Sequence, residues 1–344
     1  MSAPLTGPDE RYGRGLMEGV RLAIEHLGEA GVPKGGRLEL RALDDGGDPQ
    51  KALDNTRSLA QAGAIAVTAY HGTKSVEASL PVLEAHQLAL VGAASSAESL
   101  REPPRRTLFH LRAGALEEMQ AIVLHLDTLG LLRIGVISQD DGLGAAGSEQ
   151  LAAELVRIGL RPVAASRIRK EDDAGVSTAV GSVCESRPQA VILAVSARLV
   201  HRTVKFARHA GCHAQFVVMS ETGAALRAVT GEAARELAGL VVSQVVPHPK
   251  QLSHPLIAAY ARDAARKPGA APSYPAVEGY LYMRALGEAI RLCGANVSRE
   301  CVLKTLETKP LALPGFKVNF EKGQRRGSAF VELTLLRADG GFRR

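Results

Sequence analysis

What the sequence lacks narrows the reading before any motif is considered. No apolar run reaches the ~18–20 residues that a membrane-spanning helix requires, so no membrane insertion is expected. None of the four cysteines forms a CxxC pair, which removes zinc-ribbon and thioredoxin-like readings. The signatures GxSxG, GxxxxGK[ST] and HExxH are all missing, and the ten histidines show no ligand-like pairing with acids. The first residues, Met1-Ser2-Ala3-Pro4-Leu5-Thr6-Gly7-Pro8, have neither a basic nor an apolar stretch of the kind a secretion signal needs. They read as a loop whose preceding strand is missing. Taken at face value such a start is cytoplasmic; the alternative is a truncated start.

A formal charge of +6 invites a nucleic-acid partner. The cations are scattered among acids, however, and the clusters Arg105-Arg106 and Arg325-Arg326 stand alone. A solvated basic surface accounts for this, since net charge bears on solubility and association rather than on fold. A DNA-binding headpiece of roughly 50 residues would have to precede Pro4, and none does. Among the cysteines, Cys293 and Cys301 bracket a short turn and suit a bridge in an oxidising compartment. Cys184 and Cys212 are expected as unpaired buried thiols.

What is present is a repeated alternation of short apolar strands and amphipathic helices. Leu16, Val20, Ala23, Ile24 and Leu27 recur at helical spacing. Leu38–Leu43 alternates as a strand and ends in Asp44-Asp45, and Asp48-Pro49 then starts a helix. Strands at Ala64–Ala69 and Leu88–Ala93 flank a helix at Ser75–His86. A second series follows, with strands at Arg133–Ser138, Arg161–Ser166, Ala190–Val195, Gln215–Met219 and Leu240–Val246. Such alternation implies parallel sheets with both faces covered, and two series imply two sheets. After Val246-Pro247-His248-Pro249 come long helices at Ser253–Arg266 and Val277–Cys293, a shorter one at Arg299–Thr308, and strands at Phe316–Phe320 and Ala329–Arg337. These helices cannot stand alone, so they are expected to return to the first sheet and make both lobes discontinuous. The expected lobes are residues 1–112 with 248–325, and 113–247 with 326–344.

In open parallel sheets ligands sit beyond the carboxyl ends of the strands. That rule selects Asp44-Asp45, Tyr70–Ser75 with His71, Gly72 and Thr73, Ala94–Ala97 with Ser95, Gln139–Gly144 with Leu143, Ser196-Ala197, and Ser220–Gly223 with Glu221. Gly72 lets a ligand approach the backbone, and amides at a helix start favour an anionic group; an ordinary capped helix start gives the same pattern. Glu221 suits a ligand ammonium, or is a solvated surface acid. The run Gly142–Gly147 formally fits GxGxxG and is the one feature that speaks for a nucleotide-dependent enzyme. It begins four residues beyond its strand, and no cofactor is expected.

Taken in order, PLTGP (4–8), YGRGLMEGVRLAIE (12–25), LDDGGDPQKALDNTRSL (43–59), SLPVLEAHQLALVGAASSAESL (79–100), RIGVISQDDGLGAAG (133–147), VEGYLYMRALGEAI (277–290) and the closing FKVNFEKGQRRGSAFVELTLLRADGGF resemble the substrate-binding proteins of branched-chain amino acid ABC transporters. The resemblance covers nearly the whole chain. It implies the type I periplasmic binding fold: two αβα lobes joined by a three-segment hinge, here with the first strand of lobe 1 apparently missing. It implies a non-enzymatic, periplasmic protein that captures a small ligand in the cleft between lobes and delivers it to a permease, as a monomer or alternatively a dimer. Thr73, Ala94 and Ser95 would hold a ligand carboxylate, and Glu221 would meet an amino group. Leu143 and Ser196 stand where amino acid binders place aromatics, which broadens the ligand class to small carboxylates, amides and aromatic acids. Tyr70, His71 and Tyr274 would restore aromatic or polar contacts. The competing reading is a cytoplasmic ligand sensor of the same fold that regulates a protein partner.

Overall fold

In a computed structural model, all residues are described except 31–35, 140–151, 154, 158, 160, 227–231, 268–271 and 321–322. The chain opens with β1 (Ser2–Ala3), α1 (Glu10–Ala30), β2 (Leu43–Asp44), α2 (Pro49–Gln61), β3 (Ala66–His71), α3 (Thr73–Ala85), β4 (Ala89–Ala94) and β5 (Leu108–Phe109). It continues through α4 (Ala115–Thr128), β6 (Ile134–Gln139), β7 (Ala164–Ile168), α5 (Asp173–Cys184), β8 (Ala190–Ala194), α6 (Ala197–His209), β9 (Gln215–Val218), α7 (Ser220–Leu226), α8 (Glu232–Glu236) and β10 (Val241–Gln244). Helices α9 (Pro255–Ala264), α10 (Tyr274–Cys293) and α11 (Arg299–Thr308) follow. Strands β11 (Leu311–Leu313), β12 (Phe316–Val318), β13 (Glu332–Leu336) and β14 (Phe342–Arg343) close the chain. Residue contacts divide it into unit 1, Met1–Gly114 with Val246–Phe330, and unit 2, Ala115–Val245 with Val331–Arg344.

Unit 1 carries the parallel ladder β3-β4-β5 and the parallel pair β1-β2. Helix α10 lies against α1 at backbone distance because both present glycine at the crossing. A Cβ on Gly19 would stand 1.9 Å from the Ala276 carbonyl oxygen, and one on Gly279 would stand 2.1 Å from that of Leu16. All six tyrosines of the chain (Tyr12, Tyr70, Tyr260, Tyr274, Tyr280 and Tyr282) lie in this unit, and all are buried.

Unit 2 is built on one seven-stranded sheet in the order β14-β13-β10-β9-β8-β6-β7, parallel from β10 to β7 and antiparallel where β13 and β14 join. Its central strands are buried on both sides, as coverage by helices on both faces demands. Ile137, Val191, Leu193, Val218 and Val242 pack with Val176, Val180, Val200 and Val204 of α5 and α6. The alternate residues Ile134, Val136, Ile192, Val217 and Val241 pack with Met119, Ile122 and Leu126 of α4.

Four expectations are corrected. The first strand is not missing: Ser2 and Ala3 pair in parallel with Leu43 and Asp44. The strand foreseen at Leu38–Leu43 is confined to Leu43–Asp44, because β1 offers ladder partners only there. The C-terminal strands foreseen at Phe316–Phe320 and Ala329–Arg337 are confined to Phe316–Val318, which turns back on Leu311–Leu313, and Glu332–Leu336, which joins β10. Cys184 and Cys212 are not free thiols. They form a disulfide, as do Cys293 and Cys301, so each unit holds one.

Candidate functional site

The carboxyl ends of β3 and β4 form the rim of unit 1. Gly72, with φ at 85°, ends β3 and heads α3, and its N–H donates to the Ala94 carbonyl at 3.2 Å. That turn brings Thr73 alongside Ser95, with the two hydroxyl oxygens 2.7 Å apart. Ser95 is itself fastened from below. The buried Arg101 guanidinium donates to the Ser95 carbonyl at 3.0 Å, to Ala97 at 2.9 Å, and more weakly to Arg112 and Ala113 at 3.4 Å.

His71 is half-buried, its ring 4.5 Å from that of Tyr12. The Tyr12 hydroxyl donates to Glu278 at 2.5 Å and accepts from Arg112 at 3.1 Å; Arg112 also donates to Glu278 at 3.1 Å. Tyr282 gives Glu278 a further hydroxyl bond, and burial beside that carboxylate pushes the Tyr282 phenol well up. The imidazole therefore rests on a fixed aromatic face above a buried ion pair. Beside it, burial pushes the Asp45 carboxyl up, opposed by bonds from Ser2 and Gly47 and by the charge of His71.

Tyr70 is a correction. It is fully buried in the core between α2 and α3, its hydroxyl 3.0 Å from Thr56 Oγ1, and burial pushes its phenol up. Strand β3 runs two residues beyond the apolar run Ala64–Ala69, so Tyr70 belongs to the strand's inner face rather than to the loop. Tyr274 opens α10 with its ring edge-on to His248 at 5.8 Å, buried on the returning segment of unit 1.

In unit 2 the corresponding strand ends are β6, β8 and β9. Gln139 at the end of β6 accepts the Ser196 N–H at 3.0 Å and donates to Glu171 at 2.7 Å. Ser196 is the residue before α6, yet its hydroxyl caps nothing there and has no hydrogen-bond partner among the described residues. Glu221 stands in the first turn of α7, half-buried, and its neighbour Thr222 donates to the Val195 carbonyl at 3.1 Å. That bond ties α7 to the β8 end that carries Ser196. Leu143 and the run Gly142–Gly147 lie outside the described residues.

Arg101, Arg112, Glu278 and Glu118 escaped the strand-end rule because none sits at a strand end. For Arg112 and Glu278 the signal is a charge inside an apolar window, as in Val277-Glu278-Gly279-Tyr280-Leu281-Tyr282, where a buried ionic group needs partners; Arg101 and Glu118 stand beside other charges and give no such signal. Among the described residues no group of His, Cys, Asp or Glu is arranged to hold a metal, and no helix is long and apolar enough to cross a membrane.

Among solved structures, a substrate-binding periplasmic protein from Ralstonia solanacearum is 29% identical over 99% of this chain and 98% of its own, with a TM-score of 0.84. A possible leucine/isoleucine/valine-binding protein from Rhodopirellula baltica SH 1 is 25% identical over 100% and 95%, with a TM-score of 0.86. An extracellular ligand-binding receptor from Verminephrobacter eiseniae, 23% identical over 100% and 98% with a TM-score of 0.88, shares the fold. No curated protein matches. The two-lobed α/β architecture agrees with the type I fold that the sequence resemblance implied. With the family model for periplasmic binding proteins matching residues 1–341, the chain belongs to the periplasmic binding protein family.

Proposed function

We propose that this protein captures a small carboxylate-bearing solute outside the cytoplasm and delivers it to an ABC transporter permease. The observation that carries the ligand class is the hydroxyl pair of Thr73 and Ser95, 2.7 Å apart at the ends of two adjacent parallel strands. Two hydroxyls at the start of a 13-residue helix suit a carboxylate, which accepts from both and from the backbone amides there. In unit 2, Glu221 is the group for a ligand ammonium, and the uncapped Ser196 hydroxyl supplies a neutral polar contact. The similarity to the possible leucine/isoleucine/valine-binding protein supports an amino acid as the leading ligand. Small aromatic acids and amides are the neighbouring classes.

Such groups need only orient a ligand, and capture requires no bond to be made or broken. Ligand binding favours whichever conformation offers more contacts, which is how hinge closure is driven. One disulfide in each unit supports an oxidising compartment and speaks against the cytoplasmic sensor.

A thermal-shift screen of L-amino acids, aromatic acids and amides tests the reading. A stabilising hit should lose about tenfold in affinity with Ser95→Ala, the value of one charge-assisted hydrogen bond. If the hit is an amino acid, Glu221→Ala should cost a similar factor; for a carboxylate without an amine it should cost nothing. A hit whose affinity ignores both substitutions would refute the site.

A further inference from the structure

Beneath the rim of unit 2 lies a buried carboxylate that the ligand reading does not use. Glu118 projects from the first turn of α4, three residues past the point where the chain enters the unit at Ala115. It is fully buried. One oxygen accepts the Ser220 hydroxyl at 2.9 Å; the other accepts the Ser220 N–H at 2.8 Å and the Ser243 hydroxyl at 2.5 Å.

These partners occupy two particular places. Ser220 precedes Glu221 and begins α7. Ser243 is in β10, two residues before the chain leaves the unit at Val245. The third crossing is adjacent as well: β13 starts just after Val331 and pairs Ser243 with Leu333 and Gln244 with Glu332. Helix α7 also lies directly on β10, because a Cβ on Gly223 would stand 2.0 Å from Val242 Cγ1. The segment that carries Glu221 is thus clamped to the strand next to the crossings at Val245 and Val331, and Glu118 joins that strand to the crossing at Ala115.

We infer that Glu118 is a positioning residue that couples the Ser220–Gly223 ligand segment to the chain crossings bordering unit 2, so that movement at either is felt at the other. A buried carboxylate suits the task, since it accepts several donors at once in a medium where leaving any of them unpaired is costly. The role given to Ser220–Gly223 rests on the proposed function, but the coupling is measurable without ligand, so either idea can fail alone.

The test is amide hydrogen exchange on the full chain in the absence of ligand. Glu118→Met removes both acceptor oxygens at similar volume. It should raise exchange about tenfold, the loss of a hydrogen bond to a charged group, both at 220–223 and at 243–246, while β6 and β8 stay protected. Glu118→Gln should restore the wild-type pattern. Its amide oxygen takes the Ser220 N–H and the Ser243 hydroxyl, and its NH2 donates to Ser220 Oγ. Should Glu118→Met fail to fold, Ser243→Ala decides the matter: it removes one donor to Glu118 and leaves the residues 220–223 themselves unchanged, yet it should raise exchange there. Faster exchange confined to the mutated strand, an equal rise in β6 and β8, or no change at either stretch overturns the coupling.

Discussion

The two units hold their rims by opposite chemistry. In unit 1 the loop after β4 turns its carbonyls inward, and a buried guanidinium, Arg101, donates to Ser95 and Ala97. In unit 2 the segment after β9 turns the Ser220 N–H and hydroxyl inward, β10 adds the Ser243 hydroxyl, and a buried carboxylate, Glu118, accepts all three. The sign of the buried charge follows from which backbone groups the strand end leaves unpaired, because each must find a partner. Unit 1 goes further and buries a complete ion pair, Arg112 with Glu278, screened by two tyrosine hydroxyls.

That contrast predicts where the molecule breaks. Arg112→Met leaves Glu278 buried without its cation, and should cost unit 1 about 3–5 kcal/mol in urea unfolding. The amides of β6 and β8 in unit 2 should then keep their wild-type exchange; an equal loss there would show that the units do not unfold separately. The disulfides come next. Opening Cys184–Cys212 with a pair of serines should cost unit 2 about 2–4 kcal/mol. That bridge spans 28 residues against 8 for Cys293–Cys301, so opening the latter should cost unit 1 about 1 kcal/mol less by loop-closure entropy. Urea midpoints of the two serine pairs measure the difference.

The smallest effect is on pH dependence. Burial pushes His110 of unit 1 down to about 3 from 6.5, with Arg101 adding to the shift. The unfolded chain therefore binds one more proton between those values, and stability falls as pH drops through that window, by up to about 1.4 kcal/mol per pH unit. His110→Gln should flatten the slope below pH 6.5, and an unchanged slope would assign acid sensitivity to other groups.

Much of this was legible in the sequence, for identifiable reasons. The unit 2 sheet was readable because both faces of its central strands β8, β9 and β10 are buried, and Ala190–Val195 reads as an unbroken apolar strand. The strand-end rule brought Thr73 and Ser95 together across 22 positions because β3 and β4 are adjacent and parallel. Tyr70 was misread because apolar runs mark strand starts better than strand ends, and one residue of phase separates a rim side chain from a core one. The Cys184–Cys212 bridge was invisible because it depends on how α5 and α6 pack side by side. Glu118 looked like an ordinary first-turn acid, since the donors it accepts from, Ser220 and Ser243, lie more than 100 positions away.

The sequence has no tryptophan, and its six tyrosines all sit buried in unit 1. The consequence is optical. Tyrosine emission, and the tyrosine band of near-ultraviolet circular dichroism, report on one half of the molecule alone. A single tryptophan introduced on the surface of unit 2 would give the other half its own colour, and energy transfer from the native tyrosines to it would provide a ruler between the halves.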